Sequence, residues 1–428
     1  MTSKERVLKT LEFKEPDRVP IAEWGIDHDI SEGLLGRKTF WRSKAEITKA
    51  LWDGRRDEVV GSFKNDLIEI IDKLDHDLIP AILVPPKGLK SQRIKKLDDE
   101  TWEDGFGQIW KYSAGSDCIL LLKRPVRNVS SVEDIHKLFE SEIAERCGFR
   151  IKDKDGNRYD LELDDESRLE VVRHVVKERG DTKFIFGRGF EEANGSMEPL
   201  YFTEFEEPWI FFGGGEDNYY MNIALQPDLV KEASDLCAQM NLATAKIFID
   251  EGVDAIAPGG DFSSSTGPMI SPNTLRKIYL PGMKEVSNFG HNSGVKVLTH
   301  NCGNNWKILD MLIETGYDAW QSIQSKTADM DMKRLKKMYG NKIALWGGIN
   351  IESLYDGTAE ENMYDVLYAL KYAGVGGGLI AGTSNSVAFG VSYDNYMTCL
   401  DTLHKFGDYP LRIEEIDKRL SELVLCQQ

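Results

Sequence analysis

Residues 295–303 read Val295-Lys296-Val297-Leu298-Thr299-His300-Asn301-Cys302-Gly303, an apolar, β-branched run that stops abruptly at polar residues and a glycine. Such a run is typical of a buried strand. Side chains alternate between the two faces of a strand, so His300 and Cys302 are expected to point the same way. Bonds of about 2.0–2.3 Å from one zinc position can reach both an imidazole nitrogen and a thiolate. The alternative is a buried histidine that bonds to the backbone beside an unrelated core cysteine.

Further short apolar runs alternate with helical patterns on both sides of this stretch. The predicted strands are residues 18–24, 183–186, 253–257, 295–299, 318–322, 343–346 and 378–381, and the predicted helices include residues 227–251 and 272–293. This rhythm predicts an α/β fold, an eight-stranded TIM-type (β/α) barrel, with a doubly wound open sheet as the main alternative. Several of the runs end in glycine or polar residues. In a barrel these ends share one face, where active sites lie.

The region from about residue 89 to residue 180 has a different character, because it is rich in charge and contains hairpin patterns. Residues 105–110 are predicted to pair with 118–123, and residues 149–152 turn at Asp155-Gly156 into 159–163. We interpret this region as an insertion in a single barrel domain that spans residues 1–428.

The composition excludes several classes of protein. With 41% hydrophobic and 29% charged residues, the sequence has no run of about 18 apolar residues that could cross a membrane. Its start, Met1-Thr2-Ser3-Lys4-Glu5-Arg6, lacks the apolar segment of a signal peptide, so we expect a cytoplasmic protein. The net charge of -18 disfavours nucleic acid binding. Six cysteines without a C-x-x-C pair indicate reduced thiols.

A series of short motifs resembles the uroporphyrinogen decarboxylase superfamily, and specifically its corrinoid-dependent methyltransferase branch, similar to the methyltransferase I of O-demethylases. In chain order the motifs are Glu5-Arg6-Val7-Leu8-Lys9-Thr10-Leu11, Glu15-Pro16-Asp17-Arg18-Val19-Pro20, Gly260-Asp261, Ile270-Ser271-Pro272, Thr299-His300-Asn301-Cys302-Gly303, Gly316-Tyr317-Asp318-Ala319 and Ile343-Ala344-Leu345-Trp346-Gly347-Gly348-Ile349. Their order and spacing carry the resemblance over most of the chain, and the fold of this superfamily is a barrel.

The residues after Pro20 distinguish between the branches. The true decarboxylases have an arginine-bearing motif, Met-Arg-Gln-Ala-Gly-Arg, that binds the carboxylates of their substrate. This chain has Ile21-Ala22-Glu23-Trp24-Gly25-Ile26-Asp27-His28, with two acids and no arginine. A polyanionic porphyrinogen would meet repulsion there, which disfavours its decarboxylation.

The methyltransferase branch holds zinc with a His-x-Cys pair, which the resemblance maps onto His300 and Cys302. Members that methylate a thiol have a second cysteine near the position of Thr383-Ser384-Asn385-Ser386, where this chain has none. We expect Asp261 as the third zinc ligand, with a role in capping its turn or binding substrate as alternatives. Weaker candidates for the third ligand are Glu191, Glu192 and Glu198.

One cysteine with an oxygen ligand leaves more positive charge on zinc than two cysteines do, which suits a Lewis acid. The resemblance then implies catalysis at His300, Cys302 and Asp261, with a methyl group moving from an O-methyl donor to the Co(I) of a corrinoid (cobalamin) on a separate partner protein. A methoxylated aromatic is the favoured donor. The residues expected to bind it are Trp24, Phe262, Trp320, Gln321, Trp346 and Asn385.

The sequence leaves three alternative functions open: a methylcorrinoid:thiol methyltransferase, a decarboxylase-like enzyme without metal, and a non-catalytic barrel that binds a ligand. The sequence leaves the oligomeric state open, with a homodimer as one option.

Overall fold

The computed structural model of the protein describes residues 1–91, 93–189 and 208–426. Within these residues, seven strands form one parallel sheet in which each strand lies beside the next one in the chain. We label them β1 to β7: Leu78–Ile82, Phe184–Arg188, Ala255–Ile256, Lys296–His300, Ala319–Ile323, Ala344–Ile349 and Leu379–Thr383. Parallel strands in sequential order, with helices between them, are the arrangement of a (β/α) barrel.

The segment around Ile21 takes the eighth position and bonds to both edge strands. On the β7 side, Ala22 N donates to Ala381 O over 3.0 Å and Ala381 N donates to Pro20 O over 2.8 Å. On the β1 side, Asp77 N donates to Ile21 O over 2.7 Å. The sheet is thereby closed, which confirms the predicted barrel.

A buried carboxylate ties this closing segment to β1. Asp77 is fully buried and accepts hydrogen bonds from Arg6 over 2.6 Å, from Arg18 over 2.8 Å and from Ile21 N over 2.8 Å. The first helix, Ser3–Leu11, carries Arg6. Because a buried carboxylate requires such partners, this network fixes the closing segment and the first helix to the same strand.

Helices surround the sheet. The described α-helices are Ser3–Leu11, His28–Leu35, Lys44–Trp52, Arg56–Lys73, Val132–Leu138, Ala144–Arg146, Glu170–Arg179, Trp209–Phe212, Glu216–Leu225, Pro227–Asp250, Pro272–Ile278, Leu280–Asn292, Leu309–Thr315, Ser325–Ala328, Met332–Tyr339, Ile351–Asp356, Ala359–Ala369, Tyr393–Phe406 and Ile413–Cys426. A 3-10 helix at Glu166–Leu169 and π-helical turns at Phe139–Ile143 and Leu370–Gly374 complete the set. No helix in these ranges is both long enough and apolar enough to cross a membrane.

The core has two layers, separated by the strands. The larger layer lies between the strands and the helices and includes Trp320 and Phe262. The smaller layer fills the barrel and contains Trp24, Phe186 and Trp346 together with small and aliphatic residues from the strands. Side-chain alternation along each strand sends adjacent residues to different layers.

Two elements differ from the sequence predictions. Strand β1 is not among the strands predicted from the sequence. Pro80 lies at its centre, and proline is uncommon inside a strand because it cannot donate a backbone hydrogen bond. Residues 272–293 form two helices rather than one, with Pro281 in the first turn of the second. The proline ring clashes with the carbonyl four residues earlier, so a continuous helix cannot pass through it.

Between β1 and the helix Glu170–Arg179 lie two antiparallel sheets. One has four strands, Lys95–Lys96, Thr101–Glu103, Ile109–Ser113 and Cys118–Lys123, and the other pairs Phe149–Asp155 with Arg158–Leu163. The first predicted hairpin starts later than expected, because Asp104 Oδ1 accepts from the backbone N–H groups of Phe106 and Gln108 and holds residues 104–108 in a turn.

Candidate metal centre

Strands β3 and β4 bring Asp261, His300 and Cys302 together. His300 is the last residue of β4, and Asp261 follows β3 at a point where Gly259 bridges to His300. One ligand atom from each of the three residues lies within 4.8 Å of the other two. His300 Nε2 is 3.7 Å from Asp261 Oδ1. The three residues expected from the sequence to bind a metal therefore lie close together at the carboxyl ends of adjacent strands.

Backbone hydrogen bonds hold the loop that carries Cys302. Cys302 N donates to Asp261 Oδ1 over 2.8 Å, and Gly303 N donates to Gln324 Oε1 over 2.8 Å. The fully buried Asn305 donates to Asn301 O over 3.0 Å. Asp261 thus holds the Cys302 loop, as expected from its turn-capping alternative, and the same Oδ1 atom faces His300 Nε2.

Gly303 allows the chain to turn sharply after Cys302. Its φ of +84° lies in the left-handed region, and a Cβ atom at this position would collide with the Ser263 carbonyl. Only glycine adopts this conformation without a steric cost. The glycine after His-x-Cys is therefore part of the structure that delivers the thiol.

These three residues fit a zinc ion in donor chemistry and in reach. Nitrogen, sulfur and carboxylate oxygen are the donor atoms of known zinc sites, and three protein ligands leave a fourth position for substrate. The side chains of His300 and Asp261 are 14% and 38% exposed, so the centre is accessible from outside. Tetrahedral zinc bonds of about 2.0–2.2 Å to nitrogen and oxygen separate these two atoms by roughly 3.3–3.6 Å, so the 3.7 Å between His300 Nε2 and Asp261 Oδ1 needs only a small adjustment.

Aromatic rings of the inner layer lie directly beneath His300. The Trp24 ring is 5.2 Å from the His300 ring, 5.6 Å from Phe186 and 5.9 Å from Trp346. Trp346 Nε1 donates to Ala22 O over 2.9 Å. Trp24 and Trp346, expected to contact substrate, are thus within the barrel on the same side as the centre, but they are almost fully buried.

Trp320 and Phe262 are placed differently from the expectation. Both belong to the layer between strands and helices, where Phe262 packs near Tyr279. Trp320 donates from Nε1 to Asn301 O over 2.9 Å, so it supports the metal loop from outside. Its neighbour Gln321 points inward to His300, and adjacent strand residues cannot both do so.

Near the position where the resemblance described above implies a second cysteine in thiol-methylating members, this chain has two hydrogen-bonded hydroxyl groups. Thr383 is fully buried, and its hydroxyl contacts both the Glu23 carboxyl group and the Asn385 carbonyl oxygen. Ser384 Oγ accepts from Ile351 N over 3.0 Å. Both hydroxyl groups therefore already have partners, and Asn385, expected to bind substrate, lies beside them.

Glu23 is a buried acid close to this site. Its carboxyl group accepts from Thr383 N over 3.0 Å, and burial raises the pKa of Glu23 from 4.5 to about 8. Hydrogen bonds from Thr383 and Tyr396 lower the pKa of Glu23, but the effect of burial is larger. The raised pKa of about 8 favours the neutral form of Glu23 at pH 7.

The weaker third-ligand candidates Glu191, Glu192 and Glu198 lie outside the described residues. Two structural partners of the centre went unrecognised in the sequence: Asn305, which binds the carbonyls of the loop, and Phe186, which packs against Trp24. The sequence offers one local signal for Asn305: it is an asparagine two residues after the turn glycine Gly303, and asparagine side chains often hydrogen-bond to nearby backbone groups.

The fold and the site together define a TIM-type barrel with a candidate metal centre at the carboxyl ends of its strands. Residues 213–406 match the model of the uroporphyrinogen decarboxylase (URO-D) family, which confirms the predicted resemblance to this superfamily. This range contains β3 to β7 and all three candidate ligands.

The chain is similar to two proteins that are described as methyltransferases. The methylcobamide:CoM methyltransferase MtbA of Methanosarcina mazei is 27% identical over 145 residues, which cover 34% of this chain and 41% of that protein. The chain thus matches about two fifths of the length of this relative. A solved structure of a methyltransferase from Methanosarcina mazei covers 95% of this chain and 99% of its own at 14% identity and a TM-score of 0.60, which shows the fold.

Proposed function

We propose that this protein is a zinc-dependent methyltransferase that moves a methyl group from an O-methyl donor to the Co(I) centre of a corrinoid carried by a separate protein. The observation that carries the proposal is the cluster of Asp261, His300 and Cys302 at the open end of the barrel. The similarity to a methylcobamide-dependent methyltransferase supports the corrinoid as the second substrate.

The donor set favours activation of an oxygen-bound methyl group. Zinc held by these residues would supply a Lewis acid that polarises the donor oxygen. A single thiolate neutralises less of the metal charge than two would, so Cys302 with His300 and Asp261 leaves a stronger electrophile. The hydroxyl groups of Thr383 and Ser384 already have partners, which supports a single-cysteine centre.

The chain's own residues hold and orient the reacting groups. Asp261 and the Cys302 backbone N–H fix each other, and Trp24 supports the His300 ring from beneath. In the transfer, the Co(I) electron pair forms the new bond to carbon, the C–O pair stays on oxygen, and that oxygen takes a proton from water. A methoxylated aromatic is the favoured donor, because its phenolate is a good leaving group.

A second candidate function is the reverse type of transfer, from methylcobamide to a thiol. The similarity to MtbA, whose name states this activity, favours it. A thiol acceptor would be activated as a thiolate by binding to a zinc ion held by the same three residues.

The two functions are separated by running both half-reactions with the purified protein. Free cobalamin reduced to Co(I) is mixed with methoxylated aromatics, and methylcobalamin is mixed with small thiols. We expect the Co(I) absorbance to decay with a methoxylated aromatic, and this decay to be lost in Cys302→Ser and retained in Cys118→Ser. Cys118 is a suitable control because it is a buried thiol in the hairpin sheet. Turnover confined to the thiol reaction would establish the second candidate instead.

A further inference from the structure

Gln321 is the side chain that contacts the far nitrogen of the candidate ligand His300. The two residues are register partners on β4 and β5, and Gln321 is fully buried. Its Oε1 contacts His300 Nδ1, whereas His300 Nε2 faces Asp261. The two ring nitrogens therefore have different environments, one inside the barrel and one at the metal cluster.

The second contact of the amide fixes which of its atoms faces His300. Gln321 Nε2 donates to the Thr383 carbonyl oxygen over 3.4 Å, and a carbonyl can only accept. The amide must therefore keep its nitrogen on Thr383 and turn its oxygen to His300. An amide oxygen also only accepts, so His300 Nδ1 must carry a proton, which leaves Nε2, facing Asp261 and Cys302, as the ring nitrogen available to a metal.

We propose that Gln321 is a positioning residue that sets the tautomer of His300 and so makes Nε2 its ligand atom. This inference rests on the proposed metal centre and deepens it. It assigns Gln321 a role other than the substrate contact expected from the sequence.

Removal of the Gln321 acceptor is expected to weaken metal binding, because it changes which nitrogen of the His300 ring carries the proton. Nδ1–H would lose its partner, and the proton would be better placed on Nε2, which lies 3.7 Å from the Asp261 carboxylate. A metal would then have to displace that proton. Removing the residue that hydrogen-bonds to the far nitrogen of a metal-binding histidine typically lowers metal affinity about 10–100-fold. We expect Gln321→Leu to weaken zinc binding by this factor.

Three variants isolate the role. Gln321→Leu removes the acceptor, and Gln321→Glu keeps an acceptor facing Nδ1. Gln324→Leu is the matched control, because it removes one amide that supports Gly303 in the same loop without touching His300. The tautomer is read in metal-free protein from the ring nitrogen shifts of labelled histidine, with His300→Ala used to assign the signal. Zinc affinity is measured by competition with a chromophoric chelator.

We expect the Nδ1–H tautomer in wild type, in Gln321→Glu and in Gln324→Leu, and the Nε2–H tautomer in Gln321→Leu. We also expect zinc affinity to fall far less in Gln321→Glu than in Gln321→Leu. An Nε2–H tautomer in wild type overturns the inference, and this measurement needs no variant to fold. Unchanged affinity in Gln321→Leu overturns it as well. A wild type that has the Nδ1–H tautomer but binds no zinc instead contradicts the proposed function.

Discussion

The buried carboxyl group of Glu23 is expected to make the stability of this protein depend on pH in a specific window. Burial raises the pKa of Glu23 from 4.5 to about 8. The folded state therefore keeps a proton that the unfolded state releases from pH 4.5 upward. This contribution to stability is fully present below pH 4.5, falls as pH rises, and levels off above pH 8.

The magnitude follows from the width of the window. One pKa unit corresponds to about 1.4 kcal/mol, so the wild type loses roughly 4 kcal/mol from this group between pH 5 and pH 8. Glu23→Gln cannot ionise, and its amide can still donate to the Thr383 hydroxyl and accept from Thr383 N. We expect similar stability of the two proteins at pH 5 and a variant that is more stable by about 4 kcal/mol at pH 8.

The assay is urea unfolding of both proteins at pH 5, 6, 7 and 8, monitored by tryptophan fluorescence and by circular dichroism. All other titrating groups are shared, so the difference between the two proteins isolates Glu23. A difference in unfolding free energy that stays constant from pH 5 to pH 8 would refute the assignment of Glu23 as a buried neutral acid.

Three further outcomes are expected. Burial lowers the pKa of His76 from 6.5 to about 3, so between pH 6.5 and pH 5 the wild type should lose about 2 kcal/mol of unfolding free energy relative to His76→Gln in urea unfolding, because both proteins share the opposite contribution of Glu23. Gly303→Ala should be less stable than Gly294→Ala by about 1–3 kcal/mol in thermal unfolding, because both glycines have a φ of +84° but only Gly303 faces a carbonyl oxygen; equal losses would contradict this. Asp77→Asn should lower the free energy of unfolding by about 3–5 kcal/mol in the same assay, because Arg6 and Arg18 lose their buried ionic partner. The control Asp75→Asn removes only an exposed partner of Arg18 and should lower it by less than about 1 kcal/mol.

The strands that could be predicted from sequence are those with local signals. Residues 295–299 and 343–346 are apolar runs with glycine or polar residues after them, and the structure has β4 and β6 there. The proximity of Asp261 to His300 and Cys302 could be predicted from the fold class, because the carboxyl ends of neighbouring barrel strands share one face.

What could not be predicted depends on long-range pairing. The contact of His300 with Gln321 requires the register between β4 and β5, which no local pattern gives. Whether Phe262 faces substrate or the helix layer depends likewise on how the loop after β3 packs. Alternation could have separated Trp320 from Gln321 in advance, because adjacent strand residues point to opposite faces.

The central claim is that Asp261, His300 and Cys302 form one zinc site. It is tested most directly by elemental analysis of protein purified without chelator and then dialysed against zinc, with His300→Ala, Cys302→Ser, Asp261→Asn and the control Cys118→Ser treated in parallel. We predict one zinc per chain in wild type and Cys118→Ser, and loss or marked weakening of binding in the three site variants. Folded wild-type protein that binds no zinc, or binding that survives both His300→Ala and Cys302→Ser, would contradict the claim.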